Sequence, residues 1–143
     1  MDASNVATRL WVGAAPPLDR PLPTFDTLVL CAEEIQPDRL AFEGLVIRCP
    51  LPDAELSNAE LTRALLASRA VADALARGDR VLVTCHMGLN RSALVAALAL
   101  ARLTRMSARD LILHIRLRRH PGALSNPYFQ HILQQLVGSG RRH

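Results

Sequence analysis

A cysteine and an arginine enclose a short loop near the middle of the chain. Cys85 is followed by five residues and then by Arg91 and Ser92. The intervening residues are His86, Met87, Gly88, Leu89 and Asn90. A thiolate is a strong nucleophile, and a guanidinium presents a planar fork of donors that matches two oxygens of a phosphate. This pair of residue types, at this spacing, indicates nucleophilic chemistry on a phosphoryl group.

The flanking sequence predicts the elements that would position this loop. Residues 81–83 (VLV) are a short β-branched run typical of a buried strand, and residues 92–98 are apolar on nearly every face of a helix. A loop that enters a helix directs backbone N–H groups at one point, where the helix N-terminus adds a partial positive charge. Gly88 allows a backbone conformation that a side chain would obstruct. Ser92 can donate a hydrogen bond to a departing thiolate.

The segment from Cys85 to Ser92 resembles the active-site loop of the cysteine-dependent protein tyrosine phosphatase superfamily, Cys-x5-Arg-Ser/Thr. Residues 10–13 (LWVG) are similar to the first strand of its compact dual-specificity branch, and residues 118–121 and 126–129 resemble its C-terminal pattern. The resemblance implies a protein phosphatase for phosphotyrosine and phosphoserine or phosphothreonine, acting through a cysteinyl-phosphate. Cys85 would then be the nucleophile, Arg91 and loop residues 86–90 would bind phosphate, Ser92 would assist, and no cofactor or metal would be needed.

The leaving oxygen in such a reaction needs a proton donor. Asp53 is the candidate because it lies in a proline-containing loop after a predicted strand, 32 residues before Cys85. Dual-specificity phosphatases place a general-acid aspartate in a loop at about this separation, so the resemblance implies that role for Asp53. Glu55, two residues further on, is the alternative acid.

Two positions depart from the family pattern. Thr84 stands where a histidine usually precedes the cysteine, and Ala93 stands where glycine is common after the serine. The threonine hydroxyl can replace one hydrogen bond of that histidine. Neither change removes a reacting group.

Cys31 allows two interpretations. It can be a small buried residue at a strand end, as is expected of Cys49. Residues 31–33 (CAE) also resemble the segment of tensin-like lipid phosphatases whose cysteine pairs with the catalytic one. The resemblance implies a reversible Cys31–Cys85 disulfide under peroxide, with Cys31 as the redox partner.

The sequence leaves the substrate open. With one Tyr, one Trp and three Phe, the chain offers few side chains for an aromatic slot, which favours a shallow pocket for several phosphoamino acids. Residues 88–91 (GLNR) are similar to the Gly-Phe-Asn-Arg of metal-independent RNA 5′-triphosphatases, in which case His86 and Asn90 could hold a second phosphate. A non-catalytic phosphate-binding module and a rhodanese-like sulfurtransferase are further alternatives. The absence of lysine argues against a phosphoinositide enzyme.

Composition and patterning predict one domain, residues 1–143, with a flexible tail at 138–143. Strands predicted at residues 9–13, 27–31, 45–49 and 81–83 alternate with helices, one of them capped by Asn58 and others beginning near residues 107 and 125–127. This alternation predicts an α/β fold with a central, mostly parallel sheet flanked by helices. The resemblance implies the fold of a compact dual-specificity phosphatase.

Charge and the remaining composition bound the partners. All 17 basic residues are arginine and the formal net charge is +4, which would attract phosphorylated ligands. No histidine pairs with a cysteine at metal-ligand spacing. Without a membrane-length apolar run or a signal-peptide pattern, the chain is expected to be cytoplasmic and monomeric. Its expected partner is a phosphorylated protein or other phosphate ester, not a membrane, with nucleic acid only under the RNA alternative.

Overall fold

The computed structural model describes residues 1–139, which form a five-stranded sheet and four α-helices. The strands are β1 (Ala3–Ala7), β2 (Leu10–Gly13), β3 (Thr27–Ala32), β4 (Leu45–Leu51) and β5 (Val81–Thr84). The helices are α1 (Asn58–Ala76), α2 (Arg91–Leu103), α3 (Ala108–Arg118) and α4 (Pro127–Leu136). Of the tail predicted to be flexible, residues 140–143 lie outside the described residues. Within residues 1–139, no helix is both long and apolar enough to cross a membrane.

The sheet has the order β1-β2-β5-β3-β4. Strands β2, β5, β3 and β4 pair in parallel, and only β1 runs antiparallel, so the predicted mostly parallel α/β arrangement is confirmed. Parallel strands end at one edge of the sheet, which is where ligands bind in open α/β folds. The segments that follow β2, β3, β4 and β5 therefore meet at this edge, and they carry Ala14, Glu34, Asp53 and Cys85.

Strand β5 and helix α2 form the centre of the core. All four residues of β5 are buried, as is every residue of α2 from Arg91 to Leu100. The small residues Ala93, Ala96, Ala97 and Ala99 leave room for α1 and the sheet to approach α2 closely. The loop between β5 and α2 is therefore anchored at both ends by buried elements.

Helix α1 begins one residue away from the predicted cap. Ser57, not Asn58, is the N-cap: its hydroxyl accepts from Glu60 N at 3.1 Å, and the Glu60 carboxylate accepts from Ser57 N at 2.8 Å. These reciprocal bonds form a capping box, which satisfies two amides that the helix cannot. Asn58 is the first helical residue. The starts of α3 and α4 agree with prediction, with Ser107 and Asn126 as their N-caps.

Strand β1 was not predicted from the sequence. Its residues (ASNVA) are mostly polar or small, and only Val6 is fully buried. The strand exists because it pairs with β2 and because the His114 ring bonds to Val6 O at 2.6 Å from helix α3. The pairing with β2 is short in range, from Ala3 with Gly13 to Ala7 with Leu10, whereas the bond from His114 reaches across 108 positions of the chain. The polar and small residues of β1 show no apolar strand pattern, so neither interaction was predicted.

Replacing Ser57 with alanine should lower the free energy of unfolding by about 1 kcal/mol, the usual cost of losing an N-cap side chain. Asn58→Ala is the matched control, because Asn58 makes no capping hydrogen bond, and its effect should stay within about 0.5 kcal/mol. Chemical denaturation of both variants measures the difference. A loss with Asn58→Ala as large as that with Ser57→Ala would contradict the assignment of the cap.

Candidate active site

The structure brings the predicted nucleophile, cation and hydroxyl together at the start of α2. Cys85 is 4% exposed, Arg91 is 6% exposed, and Ser92 is completely buried. The Ser92 hydroxyl lies 3.1 Å from the Cys85 sulfur, within hydrogen-bonding distance. Ser92 can therefore donate to a thiolate at this position, as its place in the sequence suggested.

The loop folds against the residues that follow β2. The Cys85 amide donates to Gly13 O at 3.2 Å, and the Ala15 amide donates to His86 O at 3.1 Å. Gly88 has a φ of +71°, and a Cβ at that position would lie 2.4 Å from the carbonyl carbon of Gly13. Only glycine fits this backbone conformation and this contact, which agrees with the expectation for Gly88.

Two further groups hold the outer side of the loop. Arg119 donates from Nε to Gly88 O at 3.0 Å and from Nη2 to Met87 O at 3.1 Å. The Leu124 amide donates to Leu89 O at 2.8 Å from a backbone with a φ of +57°, a strained conformation for a β-carbon-bearing residue. Each carbonyl of residues 86–89 is thus bonded to a neighbouring segment, whereas the amides of these residues have no acceptor within residues 1–139.

Arg91 is fixed by a partner that the sequence analysis did not identify. Its Nη1 and Nη2 donate to the two oxygens of Glu34 at 2.5 and 2.8 Å, and Nη1 also donates to Leu51 O at 3.0 Å. The Nε atom is buried and has no hydrogen-bond partner among the described residues. The guanidinium therefore presents one unoccupied edge.

The ion pair changes the titration of both groups. The hydrogen bond from Arg91 lowers the pKa of Glu34 from 4.5 to about 2, and the bond to Glu34 raises the pKa of Arg91. A lowered carboxyl pKa contributes stability above the unfolded value, and that contribution is lost as pH falls from about 4.5 towards 2. Glu34 is therefore ionised at neutral pH. Glu33 and Glu34 are adjacent in the sequence, so no local signal identified which of them faces the site.

Asp53 lies at the same cavity and is held by two amide side chains. Asn90 Nδ2 donates to one carboxylate oxygen at 3.2 Å, and Asn126 Nδ2 donates to the other at 2.9 Å. Asn90 Oδ1 in turn accepts a hydrogen bond from the backbone N–H of Asn126 at 3.0 Å. These bonds join the loop after β4, the loop after β5 and the start of α4. Glu55 does not line the cavity.

The cavity at this edge of the sheet has a volume of about 110 Å³. It is lined by Asp53, Cys85, His86, Met87, Leu89, Asn90 and Arg91. Gly88 is the one residue of the loop that does not line the cavity, and it lies against residues 13–14. None of the lining residues is aromatic. Within residues 1–139, no cluster of histidine, cysteine or carboxylate side chains is arranged to hold a metal ion.

The remaining sequence candidates lie beneath the cavity. The Thr84 hydroxyl donates to Val29 O at 2.9 Å, so it joins β5 to β3 and does not bond to the loop. Cys31 is buried, and burial and the adjacent Cys49 thiol raise its pKa. Cys31 and Cys85 both line one narrow cleft, and both thiols are free. Ala93 is fully buried in α2.

Comparison with solved structures gives the same fold. The crystal structure of Tk-PTP in its active form has a TM-score of 0.81 at 25% identity, covering 94% of this chain and 95% of that chain. Human DUSP28 has a TM-score of 0.79 at 23% identity, covering 94% and 92%. A mouse putative dual specificity phosphatase complexed with zinc tungstate has a TM-score of 0.77 at 22% identity, covering 95% and 88%. The predicted resemblance in fold is confirmed.

Comparison of sequences identifies the family. No curated protein matches the chain. Residues 27–137 match the family model described as the catalytic domain of dual specificity phosphatases. Because this match spans most of the chain and includes the loop from Cys85 to Arg91, the chain belongs to the dual-specificity phosphatase family and is a cysteine-dependent phosphatase.

Proposed function

We propose that the chain dephosphorylates phosphotyrosine and phosphoserine or phosphothreonine in proteins through a cysteinyl-phosphate intermediate, using side chains and backbone amides alone. The observation that carries this proposal is the unoccupied edge of Arg91, a residue that lines one cavity together with Cys85. A phosphate monoester supplies what that edge lacks.

The donors of Arg91 can be accounted for one by one. A guanidinium has five N–H groups, and Glu34 and Leu51 O accept three of them. The two that are left are on Nε and Nη2, along one edge of the planar group. A buried donor without a partner costs about 1–3 kcal/mol, and two parallel donors match two oxygens of a phosphate. Phosphate binding at this edge removes that cost.

The first chemical step follows from the positions of the remaining groups. The Cys85 thiolate attacks phosphorus while the loop amides and Arg91 stabilise the charge on the equatorial oxygens. As the S–P bond forms, the bond from phosphorus to the leaving oxygen breaks, and Asp53 gives its proton to that oxygen. Asn90 and Asn126 hold the Asp53 carboxyl at the mouth of the cavity during this step.

The second step returns the enzyme to its starting state. The Asp53 carboxylate takes a proton from water as the water oxygen attacks phosphorus. The S–P bond then breaks and its electron pair returns to Cys85 as a thiolate. The Ser92 hydroxyl, 3.1 Å from the sulfur, stabilises this departing anion by a hydrogen bond.

The lining of the cavity supports a broad phosphoamino acid specificity. No Phe, Tyr or Trp lines the cavity, and Met87 is 60% exposed at its rim. An aryl group and a short alkyl group therefore find similar surroundings above Cys85. Three expectations from the sequence remain predictions: the single domain, the monomeric state and the cytoplasmic location.

The RNA 5′-triphosphatase alternative receives less support. It needs Asn90 to hold a second phosphate, but both ends of that amide bond to Asp53 and Asn126. His86, exposed at the rim, is the one group left for that task among those the sequence suggested. Neither a non-catalytic phosphate-binding module nor a sulfurtransferase requires a general acid such as Asp53 next to Cys85 and Arg91.

Hydrolysis of a small aryl phosphate in EDTA tests the mechanism. Cys85→Ser should abolish turnover, because a serine hydroxyl is not ionised here, and Asp53→Asn should lower kcat by about 10²–10⁴-fold, the usual contribution of a general acid. Glu55→Gln is the matched control for Asp53 and should retain wild-type activity. Full activity in Cys85→Ser, or a larger loss in Glu55→Gln than in Asp53→Asn, would refute the assignment.

A substrate panel tests the specificity. We expect kcat/KM values within about tenfold of one another for matched phosphotyrosine and phosphothreonine peptides, since discrimination by one apolar contact is of that order. RNA with a 5′-triphosphate should react more slowly than either. A strong preference for RNA, reduced by His86→Ala, would establish the alternative instead.

Glu34→Gln tests the role of the ion pair. The substitution removes one charged acceptor from Arg91, so the unoccupied edge should lose its fixed orientation. Since a hydrogen bond to a charged group contributes about 1.5–3 kcal/mol, the Kd for vanadate should rise about tenfold or more. Glu33→Gln, at the adjacent exposed carboxylate, is the control and should bind vanadate as the wild type does. Equal affinities in the two variants would show that Glu34 does not orient Arg91.

We also propose the peroxide-dependent disulfide between Cys85 and Cys31. Peroxide oxidises the Cys85 thiolate to a sulfenic acid. The sulfur of the Cys31 thiol then attacks the Cys85 sulfur, the S–S bond forms as the S–O bond breaks, and the departing hydroxide takes the thiol proton and leaves as water. After mild peroxide and then a thiol reductant, wild-type activity should return, whereas Cys31→Ser should recover less because Cys85 oxidises further. Peptide mapping identifies the linked cysteines, with Cys49→Ser as control. Equal recovery of wild type and Cys31→Ser would exclude the disulfide.

A further inference from the structure

Arg119 bonds to the phosphate-binding loop on the side away from the cavity, and the proposed mechanism gives this residue no role. Its side chain is 5% exposed although it ends in a charged group. Two donors bond to loop carbonyls, Nε to Gly88 O at 3.0 Å and Nη2 to Met87 O at 3.1 Å. The third nitrogen, Nη1, bonds to the carboxylate of Asp2 at 2.7 Å and to the hydroxyl of Ser4 at 3.2 Å.

The two carbonyl contacts have a consequence for the amides. A trans peptide unit is planar, and its C=O and N–H groups point in opposite directions. When Arg119 fixes the carbonyls of Met87 and Gly88 on its own side, the amides of Gly88 and Leu89 must point to the other side. Neither amide has an acceptor among the described residues. They are available to an anion bound next to Cys85.

The residues before β3 complete this arrangement. Asp2 O accepts from the Ala14 amide at 2.9 Å, and the next amide, that of Ala15, donates to His86 O at 3.1 Å. The N-terminal segment therefore reaches the loop by two routes, through Arg119 and through residues 14–15. All of these residues except Arg119 and His86 precede residue 27, where the match to the family model begins.

We propose that Arg119 is a positioning residue, which orients the phosphate-binding amides of Gly88 and Leu89, and that Asp2 and Ser4 hold it in place. The N-terminal strand is thereby a part of the catalytic unit. Arg119 does not line the cavity, so it acts on substrate only through the loop. This inference rests on the proposed function, because it concerns the oxyanion site of that reaction.

Charge strengthens the same effect. The guanidinium carries a positive charge directly behind two carbonyl dipoles, at a site with little access to solvent. There it favours an anion bound by the loop after Cys85. The hydrogen bond from Arg119 also lowers the pKa of Asp2, so this pair is ionised at neutral pH.

The chain offers a matched control for Arg119. Arg9, just before β2, donates from Nη2 to Leu75 O at 2.9 Å, so it is also an arginine that bonds to a backbone carbonyl of another segment. This contact joins the start of β2 to the end of α1, and it involves none of the groups that hold the loop after Cys85. A loss of overall stability should follow either substitution, whereas a change at the oxyanion site should follow only that of Arg119.

The experiment compares Arg119→Met, Arg119→Lys and Arg9→Met with the wild type. We expect Arg119→Met to raise the Kd for vanadate about tenfold or more, the order that follows from losing charge-assisted hydrogen bonds. The pH at which Cys85 alkylation by iodoacetate is half-maximal should move upward in the same variant. Arg119→Lys should restore part of the alkylation profile because it keeps the charge. Arg9→Met should leave both readouts within about twofold of the wild type.

The double variant Asp2→Ala/Ser4→Ala keeps the test decisive if Arg119→Met does not fold. Both residues are solvent-accessible, and their removal should weaken vanadate binding about two- to fivefold, in keeping with the small energies of exposed ion pairs. Vanadate affinity and an alkylation profile unchanged in this variant and in every folded Arg119 variant would overturn the inference while leaving the proposed function intact. A wild type that neither binds vanadate nor hydrolyses aryl phosphate would refute the proposed function itself.

Discussion

The hydrogen bonds that hold the carbonyls of residues 86–89 away from the cavity are the constraint on which the rest of the site depends. A peptide unit cannot present its N–H group to an anion unless its C=O group is satisfied elsewhere. Here the donors come from three segments: Ala15 after β2, Arg119 after α3, and Leu124 before α4. The parallel sheet and its helices bring these segments to one edge, and the contact between Gly88 and Gly13 brings the backbones close enough.

The charged side chains of the site are likewise held in place by hydrogen bonds to neighbouring groups. Glu34 and Leu51 O occupy three donors of Arg91, so the guanidinium has one orientation before any ligand arrives. Asp53 is held at both oxygens by amide side chains, which fix its place without adding charge. Preorganised groups of this kind need not rearrange when charge develops on the phosphoryl oxygens. The rigidity of α2, buried for ten consecutive residues, preserves these positions.

Most of the site residues predicted from the sequence are close together in the chain; Asp53, 32 residues before Cys85, is the exception, and the family resemblance supported its choice. Cys85, Gly88, Arg91 and Ser92 lie within one strand-loop-helix passage, so residue type and spacing sufficed to identify their place. Glu34 was not identified from the sequence because Glu33 beside it carries the same carboxylate. Only the path of the chain after β3 determines which of the two bonds to Arg91. Strand β1 was not predicted because its residues are mostly polar or small and lack the apolar pattern of a strand. Ser57 and Asn58 are both good capping residues, and the reciprocal bond with Glu60 decides between them.

The bond between Asp2 and Arg119 joins residues 117 positions apart in the chain. A contact of such long range closes a large loop, and contacts elsewhere in the fold must offset the conformational entropy that this closure costs. During synthesis the segment from β5 to α2 is made before Arg119 and Leu124 are. The groups that hold the carbonyls of Met87, Gly88 and Leu89 are therefore absent from the nascent chain until these later residues have been added.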